Sequence, residues 1–325
     1  MKGILKGKTV LVTGGTGSFG QKFTQTVLAQ HAPKKLIIFS RDEMKQYEMA
    51  KKFKNENIRF FIGDVRDTER LYRAFNGVDV VVHAAAIKIV PTAEYNPFEA
   101  VKTNVIGAEN VINAAIDNKV KKVIALSTDK AANPINLYGA TKLCAEKMFV
   151  AANNYSTLKG TRFAVVRYGN VFGSRGSVVP FFKECRKTGV VPITDEKMTR
   201  FWITLKQGVA FVLECLEEME GGEIFIPKIP SMRVTDLAKA ICPDCKQKFI
   251  GIRAGEKLHE TLVPSDECMN TREYATRFVI YPYIVEHSKK DGGKIMGPEF
   301  EGYRSDNNDK WLTVKQLAVM AEERE

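Results

Sequence analysis

Tyr138 and Lys142 stand at i and i+4, and Asp129 and Lys130 lie a short loop before them. On a helix the first pair shares one face a turn apart, which sets a phenol beside an ammonium. A phenol so placed can accept a hydroxyl proton while the adjacent carbon is oxidised, because the positive charge of Lys142 is expected to lower its pKa. Asp129 and Lys130 add a carboxylic acid and a second amine, more than simple hydride transfer requires. The surplus points to an enzyme that also makes or breaks a bond to carbon, with Thr128 at the edge of the same cluster.

These groups need a frame. Asp129 and Lys130 follow Val123-Ile-Ala-Leu126, an apolar run that reads as a buried strand. Ligands of an open α/β sheet gather at the carboxyl ends of such strands. Similar runs occur at Thr9–Thr13, Leu36–Phe39, Ile58–Ile62, Asp79–His83 and Phe163–Arg167, with helical stretches such as Glu99–Asn118 between them. Apolar, β-branched runs in this alternation predict an α/β fold with a doubly wound parallel sheet of the Rossmann type. After Tyr168 the alternation breaks and glycines and prolines multiply. Residues 1–170 are expected to form the dinucleotide domain and 171–325 a smaller C-terminal α/β lobe for substrate. A helix at Thr204–Glu218 and a strand at Glu223–Ile226 are expected to return to the first domain, and Thr235-Asp-Leu-Ala reads as a helix start.

Composition narrows the function classes. The chain has 325 residues, 44% of them apolar, enough for one large or two modest domains. No run approaches a membrane span, and the first strand begins too early for a signal peptide, so no membrane association and a cytoplasmic location are expected. The net charge is +11, but the lysines are scattered in pairs such as Lys51-Lys52 and Lys121-Lys122, without a basic stripe interleaved with aromatics. That argues against a nucleic-acid partner and for a solvated surface that draws in anionic small molecules. Cys242-Pro-Asp-Cys245 lacks a second pair or a histidine at ligand spacing; it reads as two thiols in a helix-ending turn, and no metal is expected.

The cofactor site follows the first strand. Thr13-Gly14-Gly15-Thr16-Gly17-Ser18-Phe19-Gly20 opens a helix, the context in which a glycine-rich turn holds a pyrophosphate. Gly14 permits the turn, Gly17 lets backbone approach the anion, and Gly20 lets the helix pack on the sheet. Thr16, Ser18 and Phe19 complete the loop. After the second strand stand Ser40, Arg41, Asp42, Glu43 and Lys45, where an NAD enzyme usually offers only a carboxylate. Arg41 can pair with a 2′-phosphate and Ser40 can donate to it, which favours NADP, with Asp42 keeping NAD open. Asp64 and Val65 are placed to hold the adenine edge, and Ala84, Ala85 and Ala86 leave room for the cofactor against backbone.

The G-x-x-G-x-x-G spacing and the Tyr-x-x-x-Lys pair are those of the short-chain dehydrogenase/reductase superfamily. At Thr128-Asp129-Lys130 the chain resembles the nucleotide-sugar 4,6-dehydratases of its extended branch, whose usual triplet is Thr-Asp-Glu. An amine in place of that glutamate is the mark of the inverting UDP-N-acetylglucosamine 4,6-dehydratases that begin pseudaminic acid synthesis. The resemblance runs nearly end to end, through Ser40-Arg-Asp-Glu-Met-Lys45, Gly63-Asp-Val-Arg-Asp67, Arg167-Tyr-Gly-Asn-Val171, Thr199-Arg-Phe-Trp202 and Arg253-Ala-Gly-Glu-Lys-Leu-His-Glu260. Ala254 stands where the family commonly has proline, which implies a looser loop and unchanged chemistry.

The resemblance implies oxidation at C4 with Tyr138 as base, removal of the C5 proton by neutral Lys130, and protonation of the departing C6 hydroxyl by Asp129. NADP is then tightly bound and regenerated in each turnover, with Asn104 also on its site. Neutral Lys130 needs a depressed pKa, expected from Lys142, Lys88 or the oxidised nicotinamide. Lys88, Asn170, Val171, Arg175, Gly176, Ser177, Val178, Thr199, Arg253 and Glu256 are the expected contacts of UDP-N-acetylglucosamine. Arg175 and Arg253 suit a diphosphate, and Glu256 a ribose hydroxyl. The family also implies a homo-oligomer, dimer or hexamer. Two rivals stand beside this reading: a UDP-sugar 4-epimerase, which needs only the Tyr-Lys pair, and a nonenzymatic NADP- or RNA-binding protein, which predicts a degraded one.

Overall fold

The computed structural model describes residues 3–156, 160–173, 178–283 and 292–322. Its first half alternates β1 (Thr9–Thr13), α1 (Ser18–Gln30), β2 (Lys35–Ser40), α2 (Glu43–Lys52), β3 (Ile58–Ile62), α3 (Thr68–Phe75) and β4 (Val80–His83). Then come α4 (Val90–Tyr95), α5 (Pro97–Val101), α6 (Gly107–Asp117), β5 (Lys122–Leu126), α7 (Leu137–Ser156) and β6 (Arg162–Val166). The second half holds β7 (Asn170–Val171), α8 (Val178–Cys185), β8 (Val190–Ile193), β9 (Thr199–Ile203), α9 (Leu205–Glu218), β10 (Ile224–Pro227), β11 (Ser231–Arg233) and α10 (Val234–Ile241). It closes with β12 (Lys246–Phe249), β13 (Thr261–Val263), β14 (Thr271–Glu273), β15 (Arg277–Ile280), β16 (Lys294–Ile295), β17 (Tyr303–Arg304) and α11 (Val314–Glu322).

The main sheet runs β16-β14-β15-β10-β6-β5-β4-β1-β2-β3. From β3 to β10 every pairing is parallel, and the strands outward from β10 are antiparallel. The apolar runs of the inner strands are buried, fully so in β1, because helices cover the sheet: α1 packs beside α9, and α6 sits between α3 and α7; the edge strand β3 leaves Ile62 exposed. Chain direction across the sheet reverses between β1 and β4, which opens a crevice at their carboxyl ends. The strands of residues 271–295 also join this sheet. Each is two to four residues long, too short to show a period in sequence.

Two helices depart from the sequence pattern. The stretch expected as one helix over Glu99–Asn118 is α5 and α6 joined by a π-turn at Lys102–Ile106. That extra residue in the turn aims Asn104 inward. Its amide nitrogen donates to Ile87 O (2.9 Å) and Thr141 Oγ1 (3.0 Å), and its oxygen accepts from Ile87 N (2.9 Å). At α10 the helix begins at Val234 after Arg233, so Thr235 lies inside it and is not its cap.

The remaining strands build small sheets: β11-β9-β7 and β12-β8 border a second core that includes Phe172, Phe182, Trp202, Leu237, Ile241 and Leu317, while β13-β17 packs on the main core through Leu262, Val263 and Tyr303. Arg167, fully buried after β6, ties the two halves together. It donates to both carboxylate oxygens of Glu146 on α7, to Leu262 O on β13 and to Glu267. Removing one partner of such a buried pair costs about 3–5 kcal/mol, because the other charge is stranded. Cys242 caps the end of α10, where its thiol donates to Phe182 O, and no cluster of three His, Cys, Asp or Glu suited to a metal occurs among the described residues.

Candidate active site

At the end of β1, Gly14 has φ +65°, and a Cβ there would lie 2.8 Å from Ala85 N and 2.9 Å from the Ala84 carbonyl. A Cβ at Gly20 would overlap the Gly15 carbonyl, so α1 can sit this close to the turn only with glycine. Gly17 occupies the N-cap of α1 and brings no side chain to it, the arrangement in which first-turn amides take an anion. The neighbouring Thr13 hydroxyl accepts from Ala84 N (3.1 Å) and Ala85 N (3.2 Å), so its proton goes to His83 Nδ1 at 2.8 Å. His83 is thereby held neutral, its pKa pushed down to about 3 by burial and by the charge of Lys142. These features fit a dinucleotide pyrophosphate in the crevice.

The end of β2 differs in one respect from expectation. The Ser40 hydroxyl, expected to donate to a 2′-phosphate, is buried and bonded to Thr16 Oγ1 at 3.0 Å. Arg41 is exposed, with only Asp64 Oδ2 nearby at 3.5 Å. Asp42 is engaged: it caps α2 through Lys45 N (3.0 Å) and pairs with Lys45 Nζ (2.5 Å). Glu43 opens α2 and faces solvent. Val65 is buried, and its carbonyl accepts from Asn110.

The catalytic turn follows β5. Thr128 Oγ1 accepts from Lys130 N (3.3 Å) and donates to Asp129 Oδ1 (3.0 Å), which closes a single 3-10 turn over Asp129–Ala131. Asp129 is fully buried, and its Oδ2 has no hydrogen-bond partner among the described residues. Lys130 Nζ donates to Asp129 Oδ1 (2.9 Å), Asn170 Oδ1 (3.1 Å) and Glu260 Oε1 (3.1 Å). Tyr138 and Lys142 are buried one turn apart on α7, whose start is capped by Asn136 Oδ1 accepting from Gly139 N at 2.8 Å. Four of the five expected catalytic side chains thus converge with Thr128 on one crevice.

Their electrostatics overturn two expectations. Burial alone would lower the Lys130 pKa, but Asp129 and Glu260 more than reverse that and raise it. Lys130 is therefore held as an ammonium here, since the Glu260 carboxylate and the Asp129 carboxyl accept from its Nζ, nearer than the cations expected to depress it. Burial pushes the Tyr138 phenol up to about 12, and the strongest opposing charge is Lys130, not Lys142. Lys142 itself falls to about 8 through burial, with Glu146 opposing. Asp129 is raised by burial and by Glu260, against the pull of Lys130, which favours the protonated acid.

Residues 10–282 match the family described as Polysaccharide biosynthesis protein. UDP-N-acetylglucosamine 4,6-dehydratase (inverting) of Campylobacter jejuni subsp. jejuni serotype O:2 is 56% identical across 95% of this chain and 96% of that protein. The chain belongs to the inverting UDP-N-acetylglucosamine 4,6-dehydratase family. The crystal structure of Pen from Bacillus thuringiensis is 39% identical and superposes with a TM-score of 0.88 over 97% of this chain and 98% of that one. UDP-glucose 4-epimerase of Rickettsia conorii is also similar, 47% identical across 80% of this chain and 79% of that protein. Relatives named as dehydratases and as epimerases are thus both similar to this chain over most of its length.

The expected substrate residues of this family member divide. Asn170 meets Lys130, and Val171 follows it on β7. Val178 opens α8, while Arg175, Gly176 and Ser177 lie outside the described residues. Arg253 is exposed, Glu256 Oε2 accepts from Thr194 Oγ1 at 3.4 Å, and Lys88 stands exposed on the loop after β4 with Ala86. Thr199 is buried, and its hydroxyl is bonded to His259 Nδ1 (2.8 Å) and Ser305 Oγ (2.7 Å), so it also braces the neighbouring loop. Glu260, Arg200 and Gly139 escaped the sequence reading. Glu260 closes the string that begins at Arg253, which was the available signal.

Proposed function

We propose that this protein is a C5-inverting UDP-N-acetylglucosamine 4,6-dehydratase, a hydro-lyase that yields a UDP-2-acetamido-2,6-dideoxy-4-hexulose. The observation that carries the reading is the buried Asp129, with one oxygen unpartnered, set against Lys130 beside Tyr138. An epimerase would leave that buried, costly arrangement idle.

The chain's residues divide the chemistry as follows. Tyr138 takes the C4 hydroxyl proton, and Lys142 holds the ribose of the nicotinamide. NADP would be held at the glycine turn after β1 and would supply reversible hydride acceptance between C4 and C6. The C4 ketone acidifies C5–H, and Lys130 takes that proton. Asp129 protonates the C6 hydroxyl, which leaves as water; as hydride reaches C6, a proton returns to C5 from the opposite face, which completes the inverted 4-keto-6-deoxy sugar. NADP is preferred over NAD because Asp42 is engaged with Lys45 while Arg41 is open to a phosphate.

The product is placed at the first step of pseudaminic acid synthesis. Tyr95 and Phe98, 87% and 78% exposed on adjoining helices, support a homo-oligomer. Six free thiols are in keeping with a cytoplasmic location, and no helix among the described residues is long and apolar enough to cross a membrane.

The test is incubation with UDP-N-acetylglucosamine in deuterated water, followed by NMR of the product. A C6 methyl, deuterium at C5 and inverted C5 are expected. An intact 6-hydroxymethyl with inverted C4 would replace the reading with the epimerase.

A further inference from the structure

Lys130 cannot remove a proton while it carries three of its own, and the two acidic side chains on its Nζ favour that charged form against burial and Arg200. Its Nζ bridges Asp129 Oδ1 and Glu260 Oε1 at 2.9 and 3.1 Å. Glu260 is 2% exposed and is held by backbone: its N–H donates to Ser305 Oγ (2.9 Å), and its carbonyl accepts from Ser305 N (2.8 Å). Arg200 Nε lies 3.7 Å from the same Oε1, and Oε2 is buried without a hydrogen-bond partner among the described residues. Burial favours the neutral acid at Glu260, but the charges of Lys130 and Arg200 outweigh it and hold the carboxyl below its usual range, so the free protein keeps an ion pair with Oε2 left to accept a proton.

We propose that Glu260 is the proton acceptor that converts Lys130 into a base. The inference rests on the dehydratase reading above. One proton moves from Lys130 Nζ to Glu260, giving a neutral amine and a neutral acid, and no charge is gained or lost across the pair. With Asp129 protonated, the resting set is acid, ammonium and carboxylate; after transfer it is acid, amine and acid. The second set has the composition that elimination needs, an acid for the C6 hydroxyl and an amine for the C5 proton. A bound sugar that excludes water favours it, since an ion pair loses more from desolvation than a neutral pair does. The charged and titratable groups facing the pair are Asp129 on the same turn, Tyr138 on α7, Arg200 on β9 and Lys257 on the loop that carries Glu260. Glu260 acts through Lys130 and is a positioning residue.

The test is the pH profile of elimination in the holoenzyme for Glu260→Gln and Glu260→Asp. In the wild type the transfer is internal, so the rate is flat across neutral pH. Glutamine cannot take the proton, so Lys130 must lose it to solvent. The Gln variant is expected to be 100-fold or more slower at neutral pH, climbing about tenfold per pH unit toward the lysine range. Its KM and its transient nicotinamide reduction, which reports the Tyr138 step, are expected to stay near wild type. The Asp variant keeps the flat profile with part of the rate. A Gln variant with the wild-type profile overturns the proposal. So does equal loss of nicotinamide reduction and elimination in both variants, which makes Glu260 a packing residue. If wild-type protein reduces nicotinamide but releases no water, the dehydratase reading itself has failed.

Discussion

The Cα of Gly139 packs against the carbonyl of Lys130, so closely that a Cβ there would overlap the Lys130 oxygen and stand 3.2 Å from Pro134 Cβ. The first turn of α7 and the catalytic turn are thus pressed together by the absence of one side chain. In Gly139→Ala the helix gains about 1 kcal/mol of propensity, but the turn must shift, an overpacking cost of about 1–3 kcal/mol. Elimination should fall far more than cofactor affinity, measured by stopped-flow turnover beside NADP titration.

Asp129→Asn separates the two halves of the reaction. The amide fills the same space but cannot donate an acid proton to C6. Tyr138 and Lys142 are untouched, so nicotinamide reduction should persist while water release drops by about 10²–10⁴-fold, the usual weight of a general acid. Loss of both signals together would show that Asp129 shapes the site and does not act as its acid.

Lys142 makes the fold pay for function. Its pKa is about 8 in the fold against 10.5 ordinarily. Between those values the unfolded chain binds the extra proton, so stability rises with pH across that window; below about 8 the folded state bears the whole burden, ~3 kcal/mol at about 1.4 kcal/mol per pH unit. Lys142→Met should therefore melt a few degrees higher than wild type at pH 7 in the ligand-free form while losing activity. The gap should narrow as pH rises from 8 toward 10.5, as scanning calorimetry will show.

Arg41→Ala addresses the cofactor. A guanidinium on a phosphate contributes about 1.5–3 kcal/mol, so NADP affinity should fall about 10–100-fold with little change for NAD. Equal losses for both dinucleotides would place Arg41 outside the 2′-phosphate site.

Much of this was legible in the sequence because it is local. The strands through β6 carry unbroken apolar runs, and the turn after β5 and the i, i+4 pair on α7 lie within one short stretch. What was not legible depends on distant residues meeting. The charge of Lys130 was expected from cations close in sequence, but it is set by Glu260, delivered by the loop before β13. Thr199 looked available until folding brought His259 and Ser305 to its hydroxyl. The π-turn that aims Asn104 leaves no mark in a helical period, and β14 to β16 are too short to have one.

The segment from Arg253 to Glu260 is fastened at several points: Asn136 donates to Gly255 O (2.8 Å), Lys257 to Ala132 O (2.6 Å), and Arg200 to Leu258 O (3.1 Å). On the proposed function, one end of it would meet the nucleotide through Arg253 and Glu256; the other grips the amine of Lys130. The nucleotide's distant handle and the reacting carbon therefore pull on the same short piece of backbone. A sugar phosphate stripped of its uridine should bind less well and, more tellingly, should turn over more slowly once bound, because the missing contacts no longer steady the amine at the far end.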